Sequence, residues 1–213
     1  MLSYISNVKL IPKMSIEIYK KNLSIIKRKD GISMCAPLDK LYGKSAEEVL
    51  REVGIEDDIP ICLESILKYY GISSLPQDFS KIEQLEAIKD TVDKKGHILG
   101  IIVCDGDNAG IFYKHDDKPN RQRFTIAHEL GHCAAINEPF KSFVEFRNDL
   151  ISDDEKEFSA NTFAGELLIP KNSLLRIHKM MTVPDLETLS KVFSVSTNVM
   201  RERLKALRLP YAG

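Results

Sequence analysis

Five residues constrain this chain more than any others: His128-Glu129-Leu130-Gly131-His132, an HExxH pattern set in an apolar stretch. On an α-helix, positions i and i+4 stack on one face, so both imidazoles reach the same point in space. Glu129, one position on, lies beside that point, where a carboxylate can act as general base toward water. The flanks Phe124, Ile126, Ala127, Leu130, Cys133, Ala134 and Ile136 mark this as a core helix. Burying two imidazoles and a carboxylate there without partners would cost several kcal/mol. A metal ion removes the difficulty. Two histidines and a carboxylate suit Zn²⁺, with a fourth position left open and the pKa of water held there lowered to roughly 7.

A third ligand is therefore expected on another element. Ser152-Asp153-Asp154-Glu155 is a capping box that opens a helix running to about Leu168 and stopping before Pro170. Glu157 stands on it, 25 residues beyond His132, far enough for a loop and an antiparallel return. It shares a face with Ala160, Asn161 and Ala164, small residues that permit close approach. Asn161 can hold a ligand imidazole by a hydrogen bond. Glu166, the rival carboxylate, falls on the opposite face and is expected to be exposed.

The rest of the chain reads as α+β, mostly helical with a small antiparallel sheet. Residues 1–44 are ambiguous. Ser45-Ala46-Glu47-Glu48 caps a short helix over 46–53 that Gly54 ends. A second helix begins near Asp58 and Pro60, with Ile59, Cys62, Leu63, Ile66, Leu67 and Tyr70 on its stripe and Gly71 ending it. Residues 80–90 suggest a weaker helix. His97 to Cys104, a turn over Asp105 to Gly110, and Ile111 to Lys114 read as a β-hairpin. Asn120 is placed to cap the motif helix over 121–136, and three short helices follow near 173–181, 185–193 and 197–207.

Composition narrows the setting. The 213 residues carry 30 Lys+Arg against 31 Asp+Glu and are 43% hydrophobic, which excludes a disordered or fibrous chain. The longest apolar run near the middle is Ile101 to Cys104, far short of the ~20 residues that span a bilayer. No signal peptide is evident, and Cys35, Cys62, Cys104 and Cys133 form no close pair, so a cytoplasmic protein is expected. The net charge of -1 hides an asymmetry: residues 1–30 and 171–213 are each +5, and the middle is -11. That pattern fits solvated helix faces, an electrostatic contact between segments, or a terminus that faces nucleic acid.

Other signals carry less. Asp105 to Asp116 imitates a calcium loop, but Ala109 occupies a ligand position and the flanks are strands, so a hairpin turn is the better reading. Cys133 points away from His132 around the helix and reads as core. Cys35 has nothing in the sequence to place it near a metal. Among the lone histidines His97, His115 and His178, His115 is the favoured oxyanion stabiliser, because it leaves the hairpin just before the motif helix. Arg123 reads as packing on its own helix. Over 185–207, Arg201, Arg203, Lys205 and Arg208 crowd a second helix, so the segment reads either as a DNA-binding helix-turn-helix or as a hairpin packed on the core.

The blocks Arg121 to His132 (RQRFTIAHELGH) and Glu157 to Pro170 (EFSANTFAGELLIP) resemble the ImmA/IrrE family of zinc metallopeptidases. The likeness is tight over 121–133 and 155–170, looser over 58–114, and resumes from Leu189 to Leu209. Residues 1–57 have no counterpart. The resemblance implies a zincin-like core of the gluzincin type, with His128, His132 and Glu157 as Zn²⁺ ligands and Glu129 as general base. It also implies a protein substrate, a helix-turn-helix repressor cut to derepress mobile-element or stress-response genes. The expected division is an N-terminal extension (1–57), a peptidase core (58–170) and a C-terminal helical segment (171–213). The alternative is a non-catalytic regulator, a metal-stabilised module that binds DNA or protein.

Overall fold

The computed structural model describes residues 40–84, 97–105, 108–135, 143–148 and 155–213. Helix α1 (Ala46–Val53) begins with the expected capping box: Ser45 accepts from the Glu48 amide and the Glu48 carboxylate accepts from the Ser45 amide. Gly54 ends it in the left-handed region, at φ 75°. Helix α2 (Leu63–Tyr70) starts later than expected, with Cys62 at its cap. Strand β1 (Ile72–Gln77) and a short helix α3 (Ser80–Glu83) follow. Of the weaker helix expected over 80–90, α3 realises the first residues, and 85–90 lie outside the described residues.

Strands β2 (Ile98–Asp105) and β3 (Asn108–Lys114) form the expected hairpin. Its turn is shorter than the six residues anticipated, because Asp105 and Asn108 are already paired. The calcium-loop spacing is therefore spent on a β-ladder. Among the described residues, the sheet has four strands in the order β1-β3-β2-β4, where β4 is Phe143–Asn148. It is mixed rather than purely antiparallel, since β1 runs parallel to β3. Ile72, Ile102 and Ile111 project into the main core, while the alternate residues Ile101, Val103 and Phe112 are buried as well. Covering both faces explains the continuous apolar run in β2.

The motif lies on α4 (Pro119–Ala135), which starts at a proline whose missing N–H is unneeded in a first turn. Asn120 is thus inside the helix instead of capping it, and its Nδ2 donates to the Val195 carbonyl at 3.1 Å. Helix α5 (Glu155–Leu168) stops before Pro170, and its anticipated capping serine, Ser152, lies outside the described residues. Then come α6 (Lys171–Met180), α7 (Leu186–Phe193) and α8 (Thr197–Ala206).

One apolar core joins these parts. It runs from Leu41 and Val49 through Ile66, Leu130 and Leu167 to Leu189, Phe193, Met200 and Leu204. Polar ties reinforce it: Ser173 Oγ donates to the Glu56 carbonyl at 3.1 Å, and Arg203 Nε to the Ile169 carbonyl at 3.1 Å. Positions 57/58 and 170/171 therefore mark no break in the packing. No described helix is long and apolar enough to cross a membrane.

Candidate metal centre

The helical period brings His128, Glu129 and His132 to one end of the core, all three buried. The second helix comes very close. A Cβ on Gly131 would lie 3.0 Å from Ala160 Cα and 3.1 Å from the Ala160 carbonyl oxygen, so α4 and α5 touch backbone to side. That contact carries Glu157, one turn before Ala160, to the two imidazoles. His128 Nε2 is 3.3 Å from Glu157 Oε2, His132 Nε2 is 3.2 Å from Glu157 Oε1, and the two Nε2 atoms are 2.9 Å apart.

His128, His132 and Glu157 each offer a donor atom, all within 4.8 Å of one another. Around a tetrahedral ion with ligand bonds of about 2.0–2.1 Å, donors sit roughly 3.3 Å apart. The observed spacings of 2.9, 3.2 and 3.3 Å are close to that, so the donor set fits such an ion. Asn161 Oδ1 lies 2.9 Å from His128 Nδ1. With the amide oxygen accepting there, Nδ1 carries the proton and Nε2 presents its lone pair to the centre. Burial alone would push the Glu157 carboxyl up, but hydrogen bonds and charge from His128 and His132 outweigh it and hold the group far below the ordinary range.

Glu129 takes no place among those three donors. Its carboxylate lies against strand β2, where a Cβ on Gly100 would come 2.7 Å from Oε1. The five positions expected from the sequence thus divide into a three-donor cluster, a supporting amide on Asn161 and a separate buried carboxylate. Gly100, contributed by the sheet, was not foreseen: in the sequence it is one glycine in an apolar strand.

The remaining candidates sit elsewhere. His115 is exposed at the hairpin exit, its ring 3.9 Å from Asp116, and is outside the cluster. Its carbonyl accepts from Gln122 Nε2 at 3.0 Å. His97 faces Glu83 at 3.1 Å and His178 Nε2 donates to the Pro210 carbonyl at 2.7 Å. Cys133 is a core residue, as expected, and Cys35 lies outside the described residues. One expectation is corrected: Arg123 reaches beyond its own helix to donate to the Ile61 carbonyl at 2.8 Å. Glu166 lies outside the donor cluster with its side chain 42% exposed, and pairs with Arg203 at 2.9 Å. Of the four cations expected to crowd α8, Arg203 is held by Glu166 and Ile169, and Lys205 by Glu202 at 2.8 Å.

The comparisons agree with this geometry. The Peptidase M78 family model, described as the IrrE N-terminal-like domain, matches residues 89–205, just over half of the chain. No curated protein matches it. The matched span holds the hairpin, the motif helix, Glu157 and nearly all of the C-terminal helices. A shared pattern of that extent, centred on the helix pair that gathers the three donors, shows that the chain belongs to the ImmA/IrrE family of metallopeptidase-type proteins.

Proposed function

We propose that this protein is a zinc-dependent metalloendopeptidase of the cytoplasm that cuts a helix-turn-helix repressor, derepressing mobile-element or stress-response genes. The observation that supports it most is the convergence of His128, His132 and Glu157, with a fourth ionisable group, Glu129, buried on the helix of the two histidines. The two imidazoles and the Glu157 carboxylate would hold the ion, and Asn161 fixes the ring of His128. When bound, Zn²⁺ polarises the scissile carbonyl and acidifies water. Glu129 accepts a proton from the attacking water at its carboxylate and returns it to the nitrogen of the departing amine. The repressor as substrate rests on the family resemblance of the two sequence blocks.

The test uses the metal-loaded protein, its Glu129→Gln variant and the repressor encoded beside the gene, with fragments read by mass spectrometry. The wild type should yield discrete fragments, the variant should lose cleavage by at least about a hundredfold, and both should carry one zinc. Equal action by the two proteins, or no fragments from a zinc-loaded wild type, rejects the peptidase reading.

A further inference from the structure

We propose that Gly100 is a positioning residue for Glu129: its bare Cα leaves the slot in which the carboxylate lies, and strand β2 forms the wall behind it. The inference rests on Glu129 being the general base. A Cβ at position 100 would meet Glu129 Oε1 at 2.7 Å and Thr125 Cγ2 at 2.5 Å, both nearer than real contacts allow. Thr125 and Glu129 are one turn apart on α4 and both are buried, so the strand presses along a single line of that helix.

Conformation is not what requires glycine here. Among the described residues the positive-φ glycines are Gly43, Gly54, Gly71 and Gly213, and Gly100 is not one of them. A glycine inside a strand weakens the sheet, so its use here answers to the neighbouring helix. The wall is also held in place. Gly100 pairs with Tyr113 on one side and Arg147 on the other, and the pairing with β4 shifts register between Ile98 and Gly100. Such irregularities re-aim a strand locally. With β2 clamped by two neighbours, an added methyl displaces the far end of a flexible side chain before it moves the strand. That flexible end is the Glu129 carboxylate. Thr125 is β-branched and stiffer, so it carries the packing part of the clash.

The experiment compares zinc-loaded wild type, Gly100→Ala, Thr125→Ala and the double variant by crystallography, zinc stoichiometry and hydrolysis of quenched-fluorescent peptides. Gly100→Ala should keep one zinc, move the Glu129 carboxylate by about 1 Å or more, and lower kcat at least about tenfold with little change in KM. The double variant, relieved of the threonine clash, should show the same displacement and the same loss relative to Thr125→Ala. An unmoved carboxylate with unchanged kcat overturns the proposal. Recovery of kcat in the double variant, or loss of its fold or zinc, does so too, because packing would then be what the glycine serves. Should the zinc-loaded wild type cleave no peptide, the peptidase reading fails and the position of Glu129 in the variants still decides the role of Gly100.

Discussion

At the scale of single residues, Glu157 carries a charge that the metal-free protein holds against two imidazoles. Burial disfavours its carboxylate, yet His128 and His132 overcome that and hold its pKa well below the ordinary value of 4.5. A depressed folded-state pKa contributes stability that is fully present above the unfolded value and is lost as pH falls through the folded one. Metal-free wild type should therefore outlast Glu157→Gln in urea near neutrality. That advantage should shrink steadily once the pH drops below about 4.5. A gap that stays constant from neutrality into acid would show that the imidazoles do not sustain the carboxylate. The same residue shows what a sequence can disclose. His128, Glu129, His132, Glu157 and Asn161 were all legible because spacing on a helix fixes which side chains share a face. Gly100 was not, because the group that forbids a side chain there, Glu129, lies 29 positions away in the chain.

At the scale of elements, the contact between α4 and α5 makes a sharper claim about Gly131. Judged as a helix position alone, alanine should stabilise by up to about 1 kcal/mol. The added Cβ would meet the Ala160 backbone at 3.0–3.1 Å, however, and backbone cannot swing aside as a side-chain tip does. Overpacking of that kind typically costs about 1–3 kcal/mol, so it outweighs the helical gain. Gly131→Ala should be less stable in chemical denaturation and bind zinc more weakly, since α5 must retreat and take Glu157 with it. Improved stability with unchanged zinc affinity would mean that the helices have room to spare. Elements with a clear period were legible from sequence: α1, α4, α5, α7 and α8 lie within a few residues of expectation. Strand β1 was not, because Ser73, Ser74 and Pro76 interrupt any apolar alternation. Its place comes from the parallel ladder with β3, which no local pattern reveals.

At the scale of the whole molecule, one apolar cluster runs through described residues of all three expected parts. Phe193 belongs to the C-terminal segment yet is fully buried in the same cluster as Leu130 and Leu167 of the two site helices. Replacing a buried Phe by Ala typically costs about 3–5 kcal/mol. Phe193→Ala should lower the midpoint of the entire protein in one transition, with zinc release and loss of helicity coinciding. A separate early transition confined to the C-terminal helices would show instead that they fold as their own unit. The charge asymmetry also acquires an explanation. Arg203 on Glu166 and Arg176 on Asp57, at 3.0 Å, set basic residues of the tail against acids of the middle, which favours a contact between segments among the readings that composition left open.

The motif helix is fastened at both ends by chain far from it. Gly43 donates its amide to the Ala134 carbonyl at 2.9 Å, and the Val195 carbonyl receives Asn120. A recombinant fragment trimmed to 58–170 would cut both fastenings and strip the apolar cover supplied by Leu41, Leu189 and Phe193. The shortest piece that keeps the donor cluster in shape must therefore begin before Leu41 and continue past Leu204. Zinc affinity measured on anything smaller would describe a loosened helix instead of the site.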